Sequence, residues 1–163
     1  MTSVYQAIYR TPAGFDDLLL RSDGTYLTGL RFIAVQNTVQ AEPISPVFRD
    51  TCAWLDAYFG GTAPDFTPAY RMEGLTPFRR EVLELLLTIP YGQTRSYGQL
   101  AECIARRRDL AQMSAQAVGG AAGWNPICLI LPCHRVLGAN GQLTGYGGGL
   151  HNKAALLRHE GSL

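Results

Sequence analysis

The sequence contains few of the residues that usually bind metal ions. Histidine occurs three times and cysteine four times in 163 residues, at His134, His151, His159, Cys52, Cys103, Cys128 and Cys133. No two cysteines have the C-x-x-C spacing of common zinc sites, so a closed Cys/His zinc site is not expected. Four cysteines would allow two disulfides, but nothing else in the sequence suggests export. We interpret Cys52, Cys103 and Cys128 as small buried hydrophobic residues.

The sequence also lacks the segments that direct a protein to or across a membrane. No apolar run reaches the ~18 residues that span a bilayer. Residues 1–10 lack the basic-then-apolar order of a signal peptide. With 47% apolar and 17% charged residues, the chain is expected to form a buried core. We therefore expect a soluble, cytoplasmic, monomeric protein without membrane partners.

A strong excess of positive charge is missing as well, since the formal net charge is +1. The charges are unevenly distributed, however. Residues 1–74 contain five Arg and eight Asp or Glu, a balance of −3, whereas residues 75–163 contain nine Lys or Arg and five Asp or Glu, a balance of +4. A polyanion is therefore expected to meet the C-terminal half.

Residues 1–74 are predicted to form an α/β lobe with a small antiparallel sheet. Residues 1–40 look β-rich, with strands at 4–9 and 26–32 and a turn at 22–24. A helix is predicted over 46–59, ended by Gly60 and Gly61. The Pro- and Gly-containing stretch 60–74 is interpreted as a connector.

Residues 75–163 are predicted to form a mainly helical lobe. Capping residues and apolar stripes place helices from residue 77 to before Pro90 and at 97–104, 115–122 and 152–159, with Thr76, Ser96 and Ser114 as N-caps. The second and third of these, joined by a polar loop with Arg106–Arg108 and Asp109, fit a helix-turn-helix. The apolar run 127–131 is predicted to be a buried strand or extended segment, and the glycine-rich stretch 138–149 a loop.

The adjacent residues Cys133 and His134 point to nucleophilic chemistry. A thiol becomes a strong nucleophile when a neighbouring base or cation favours its ionised form. A carboxylate usually orients such an imidazole, and Glu160, at the end of the last helix, is the candidate. Because a Cys-His dipeptide is common, these residues alone do not identify an activity.

Four segments, in order along the chain, resemble the O6-alkylguanine-DNA alkyltransferases. Segment 125–136 (NPICLILPCHRV) closely resembles the active-site segment of that family. Segment 90–101 (PYGQTRSYGQLA) resembles the first helix of its helix-turn-helix, and 117–121 (AVGGA) resembles its recognition helix. The stretch 143–150 (LTGYGGGL), with Lys153 and 159–161, resembles its active-site loop and terminal helix. The resemblance covers 75–161, whereas 1–74 agrees only in size and order of elements.

The resemblance implies a C-terminal domain of winged-helix type and a role for each matching residue. Cys133 would accept the alkyl group, His134 would take its proton through a water, and Glu160 would fix the imidazole tautomer. Asn125 would brace the active-site turn, and Tyr97 would donate to the departing guanine. Further residues implied to contact the base or DNA are Cys128, Tyr146, Gly147, Gly148, Lys153, Gln116, Ala117, Gly119 and Arg135, with Arg95, Arg106, Arg107 and Arg108 as phosphate contacts.

The implied reaction is repair of double-stranded DNA that contains O6-alkylguanine, with O4-alkylthymine as a second candidate substrate. Sulfur would attack the alkyl carbon in line, and the stable thioether product would limit each molecule to one turnover. No metal or nucleotide cofactor is required. Because the lesion lies in the base stack, the nucleotide must be flipped out, and a small-residue helix suits the minor groove.

Three departures from the family pattern concern the engagement of DNA. Gln116 stands where the family usually has an arginine that fills the gap left by the flipped base. The connector 104–113 is several residues longer than usual and carries Arg106–Arg108, which form either a solvated basic loop or a replacement phosphate contact. Gly147 also stands where many members have a hydroxyl residue.

Two other functions stay open on the residues alone. A Cys-His thiol hydrolase would need an oxyanion hole and a water for turnover, neither of which is indicated. A lesion-binding sensor or regulator, with weak or no transfer, would fit the loss of charge at Gln116.

Overall fold

The computed structural model of the protein describes residues 3–34 and 45–163. The chain divides into two compact units, one formed by Met1–Glu73 and Pro126–Cys128, the other by Gly74–Asn125 and Leu129–Leu163. The part of the β-rich prediction that falls on residues 35–40 lies outside the described residues. No helix in the described ranges is long and apolar enough to cross a membrane.

The first unit contains an antiparallel sheet and one helix. The strands are β1 (Tyr5–Tyr9), β2 (Asp17–Ser22) and β3 (Leu27–Ile33), in the order β1-β2-β3. Opposed pairs such as Leu20 and Leu30 are fully buried on the inner face. Helix α1 (Pro46–Phe59) packs on β2 and β3, and its N-terminus is capped by the Ser45 hydroxyl. The predicted α1 bounds are confirmed, whereas β2 was not predicted because its run of three leucines hides the alternation of a strand.

The second unit is mainly helical. It contains α2 (Pro77–Leu86), β4 (Arg95–Ser96), α3 (Tyr97–Arg107), α4 (Ala115–Ala122), β5 (Val136–Leu137) and α5 (Leu150–His159). Strands β4 and β5 form a two-residue parallel ladder. Short 3-10 turns lie at Cys133–Arg135 and Ala139–Gly141. The coarse prediction of an α/β fold with a small antiparallel sheet and several helices is confirmed.

Helix α3 is longer than predicted. It continues to Arg107, with Arg108 as its C-cap, so Arg106 and Arg107 are helical rather than part of a loop. Buried Ile104 and Ala105 extend the apolar stripe by another turn, and arginine is a good helix former. The connector between α3 and α4 is correspondingly shorter.

The buried run 127–131 is not a strand. Ile127 makes one isolated bridge to Leu30, and the chain then turns, with Leu129 in the left-handed region at a φ of 67°. The burial was predicted correctly, but the alternation of apolar residues could not reveal the turn. Two helix ends also differ from the prediction: α2 ends at Leu86, and α5 begins two residues earlier than expected, at Leu150.

Candidate functional site

Cys133 is positioned by a short turn in the second unit. It begins the 3-10 turn Cys133–Arg135, which directly follows Pro132 and leads into β5. The backbone N–H of Cys133 donates to Leu131 O at 2.8 Å. Cys133 is only 9% exposed, so the residue is nearly buried and does not lie on an open surface loop.

The side chain of Asn125 holds the thiol in place. Its Nδ2 donates to Leu131 O at 2.7 Å and to Cys133 Sγ at 3.0 Å. Asn125 lies just beyond the C-terminus of α4, so one amide joins the end of that helix to the turn that carries the sulfur. A hydrogen bond from an N–H to sulfur favours the thiolate over the thiol.

His134 and Glu160 meet in the interior. Nε2 of His134 lies 3.2 Å from Oε2 of Glu160, and both side chains are fully buried. Because the carboxylate accepts, Nε2 is assigned the proton, which leaves Nδ1 as the acceptor. Nδ1 is buried and has no hydrogen-bond partner among the described residues.

Arg135 completes this buried cluster, in a position that the sequence did not predict. Its Nη2 and Nε donate to Glu160 Oε1 at 2.5 and 3.0 Å, and its Nη1 donates to Ile89 O at 2.8 Å. The Arg135 side chain is 11% exposed. The expected DNA contact is therefore corrected: the guanidinium faces the carboxylate, where it offsets the negative charge that burial would otherwise penalise.

The cluster fixes the charge of each member. Burial alone would raise the pKa of Glu160, but hydrogen bonds from His134 and Arg135 and the positive charge of Arg135 lower that pKa to about 2. Burial lowers the pKa of His134. The hydrogen bond and charge of Glu160 raise this pKa, whereas the positive charges of Arg135 and Lys153 lower it further. Near neutral pH the site therefore holds an ionised carboxylate and a neutral imidazole.

Lys153 and Tyr97 hold the glycine-rich loop. Buried Lys153 donates from Nζ to Val136 O at 2.6 Å and to Thr144 O at 2.8 Å. The hydroxyl of Tyr97, at the start of α3, donates to Gly145 O at 3.4 Å. Burial and the nearby Cys133 raise the pKa of Tyr97, so the phenol stays protonated and able to donate.

A mainly apolar groove of about 590 Å³ lies between α3, α4 and this loop. We call it the α3–α4 groove. Its lining includes Tyr97, Gln116, Gly119, Thr144 and Gly145. A Cβ at Gly119 would lie 3.6 Å from the Tyr97 ring, an ordinary van der Waals distance, so α4 passes close to this ring. The groove is large enough for one planar base.

Several other predicted contacts occupy different places. Arg108 forms an ion pair with Glu81, and Arg95 donates to Thr94 O and Gln93 Oε1. The backbone N–H of Cys128 already donates to Leu30 O at 2.9 Å within the first unit, so this N–H is not a donor for a base.

The remaining predicted residues differ mainly in exposure. Arg107, Ala117 and Gly147 are exposed, and Arg106 is exposed with its Nε donating to Glu102 O. Tyr146 is buried, and Gly148 O accepts from Asn152 Nδ2 at 2.7 Å.

Comparison with known proteins agrees with this site. The model of the family "6-O-methylguanine DNA methyltransferase, DNA binding domain" matches residues 77–162. A methylated-DNA–protein-cysteine methyltransferase of Mycobacterium bovis is 44% identical over 94% of this chain and 92% of its own length. A relative with the same name from Methanosarcina acetivorans is 40% identical over 98% and 99%.

Solved structures give the same result. The O6-methylguanine methyltransferase of Mycobacterium tuberculosis is 39% identical, with a TM-score of 0.80 over 98% of this chain and 94% of that chain. A structure of Mycobacterium tuberculosis OGT in complex with DNA is 42% identical, with a TM-score of 0.78 over 96% and 92%. This chain therefore belongs to the methylated-DNA–protein-cysteine methyltransferase family.

Proposed function

We propose that this protein repairs alkylated DNA by moving an alkyl group from the O6 atom of guanine to Sγ of Cys133, once per molecule. The observation that carries the proposal is a pair of contacts at adjacent residues, a part-buried one from Asn125 to Cys133 and a buried one between His134 and Glu160. It supplies a held sulfur, a neutral base and an ionised carboxylate in one small volume.

His134 and Tyr97 take part in the proton transfers near the sulfur. Nδ1 of His134 accepts the Cys133 proton through a bridging water, because Nε2 is committed to Glu160. The sulfur forms a bond to the alkyl carbon as the carbon–O6 bond breaks, and the electron pair of that bond stays with guanine. Tyr97 transfers its hydroxyl proton to the departing base, so that guanine leaves neutral, and the proton that His134 took from Cys133 then returns to the phenol through water.

Arg135 and Lys153 act through other groups. Arg135 keeps Glu160 ionised, so the carboxylate can fix the imidazole tautomer. Lys153 ties Thr144 to Val136 and so holds the loop that forms one side of the α3–α4 groove. We assign the flipped base to this groove and expect contacts from Tyr146, Gly147 and Gly148, which follow the lining residue Gly145 along the chain. We expect no metal or nucleotide cofactor.

Helices α3 and α4 serve as a helix-turn-helix in a winged-helix domain, and duplex DNA is the partner. The small residues of α4 would allow the helix to enter the minor groove, with exposed Gln116 and Ala117 at its start. Exposed Arg106 and Arg107, now placed on α3, would contact phosphates.

The alternative of a lesion sensor is not favoured. A sensor needs no aligned nucleophile, yet Cys133, its amide donor and the His134–Glu160 pair are all in place. A hydrolase would need a second reaction that frees the sulfur, and the proposed thioether has no leaving group for such a step.

Intact-mass measurement tests the proposal. Incubation with an excess of O6-methylguanine oligonucleotide should add one methyl group per protein, on a peptide containing Cys133. The Cys133→Ser variant should gain none, while the matched Cys103→Ser variant should react normally, because the hydrogen bonds around the proposed nucleophile do not include Cys103. Binding without a mass change would indicate a sensor, and more than one product per protein would indicate a hydrolase.

A further inference from the structure

The first unit contains a groove of about 420 Å³ on the outer face of its sheet, with three arginines in its lining. We call it the arginine groove. Arg21 lies on β2, Arg31 on β3, and Arg71 on the segment that pairs with the start of β3. All three are exposed. Nothing in the proposed alkyl transfer uses them.

Two of these arginines have no counter-charge. Among the described residues, no carboxylate or other acceptor pairs with Arg21 or Arg31. Arg71 is different: it lies 3.2 Å from Asp23 and 3.4 Å from Glu73, two carboxylates that also line the groove, and 4.4 Å from the centre of the Tyr26 ring. Asp23 is itself held by the N–H groups of Thr25 and Tyr26. The groove therefore has one neutralised, fixed arginine at its edge and two uncompensated ones beside each other.

The strand register brings the two uncompensated arginines together. Arg21 is opposite Gly29, and Arg31 follows two residues later on the same face of β3. The aliphatic part of the Arg21 side chain lies over Gly29. A Cβ added at Gly29 would lie only 3.3 Å from Cβ and 3.4 Å from Cδ of Arg21. A glycine inside a strand often marks close approach by another group, and here it gives Arg21 its position in the groove.

We propose that the arginine groove binds a small phosphate monoester, with the phosphate between Arg21 and Arg31. The guanidinium fork matches phosphate oxygens, and two uncompensated guanidinium groups match a group of nearly two negative charges. Leu19, Val4 and Pro126 give the groove an apolar side for the organic part of the ester. The acidic balance of residues 1–74 disfavours a polyanion, so the ligand is a free small molecule rather than a nucleic-acid backbone.

Titration calorimetry on the full chain with phenyl phosphate, inorganic phosphate and phenylacetate tests this. Phenyl phosphate should bind saturably and more tightly than inorganic phosphate, because only the ester contacts the apolar side. Phenylacetate has the same ring but a single charge, and it should bind more weakly. Arg21→Ala and Arg31→Ala should each weaken phenyl phosphate binding by about tenfold or more.

Two controls make the result decisive. Arg49→Ala removes an exposed arginine on α1 that is not part of the groove, and it should leave binding unchanged. Circular dichroism and methyl transfer should be normal in all three variants. Equal loss in Arg49→Ala, no saturable binding, or full binding after both groove arginines are removed would overturn the proposal. Arg21- and Arg31-dependent binding of an undamaged single-stranded oligonucleotide, in place of phenyl phosphate, would overturn it in favour of nucleic acid.

Discussion

The substitution Glu160→Gln separates the two tasks of the buried carboxylate. In the structure three N–H groups converge on its two oxygens, from His134 Nε2 and from Nε and Nη2 of Arg135. Glutamine offers one acceptor oxygen and one NH₂ group in the same space. If the oxygen faces Arg135, the NH₂ faces the imidazole, and His134 must move its proton to Nδ1 to accept from it.

That change of tautomer removes the proposed base. Nδ1 is the atom expected to take the Cys133 proton, and a protonated Nδ1 cannot do so. In a catalytic triad, loss of the correct tautomer slows the reaction by about 10⁴-fold. Because glutamine can also adopt the other orientation, we expect a smaller loss of single-turnover rate here, about 10²- to 10⁴-fold.

The same substitution should destabilise the fold, because Arg135 keeps its charge at 11% side-chain exposure without a carboxylate partner. Breaking a buried ion pair costs about 3–5 kcal/mol. At about 2–4 °C per kcal/mol for a chain of this size, the melting temperature should fall by at least about 6 °C.

The assay is methyl transfer from an O6-methylguanine duplex under single-turnover conditions, well below the melting temperature of the variant. Glu84→Gln makes the same chemical change at an exposed position on α2 and should alter neither rate nor stability. A normal rate combined with the expected loss of stability would show that Glu160 is only structural. A normal rate and normal stability would refute the account of the whole cluster.

Three further predictions follow from the site and its surroundings. Tyr97→Phe should slow transfer by about 10- to 100-fold, since one donor to the departing base is lost, and intact mass over time measures this. Acidification should destabilise the protein. Because folding lowers the pKa of His134, the stability should fall below pH ~6.5, and because folding lowers the pKa of Glu160 to about 2, a further loss should follow below pH ~4.5. Thermal melts against pH should show both losses of stability, and a flat profile would contradict the assigned charges. If Gln116 weakly replaces the family's arginine, Gln116→Arg should steepen the salt dependence of duplex binding by about one phosphate contact. If α3 supplies the phosphate contacts instead, Arg106→Ala with Arg107→Ala should flatten the salt dependence by more than one unit. We favour α3, and an unchanged salt dependence in both variants would contradict both explanations.

Helix starts could be predicted from local chemistry alone. Thr76, Ser96 and Ser114 each accept a hydrogen bond from the backbone N–H three residues later, as their sequence context indicates. Such a signal needs only neighbouring residues. The end of α3 was harder to predict, because arginines continue a helix as readily as they form a polar loop.

Contacts between distant residues were not predictable in the same way. The pairing of β2 with β3 and the ion pair of Arg108 with Glu81 depend on how elements pack, and no local pattern specifies them. The residues alone made Glu160 a candidate partner of His134 beside Cys133, but sequence spacing could not establish that contact, and the resemblance to a family strengthened the expectation. The structure supplies the distances that make the cluster chemically specific.

Arg135 shows where physical reasoning could have gone further than resemblance. A carboxylate that orients a neutral imidazole in a buried site must stay ionised, and a neutral imidazole supplies no charge to stabilise it. A permanent cation within hydrogen-bond distance of Glu160 meets this need, and arginine is the side chain that stays charged when buried. The residue next to His134 in the 3-10 turn already lies close to the carboxylate, so its task follows from the ionisation of Glu160 rather than from the positive charge that DNA would attract.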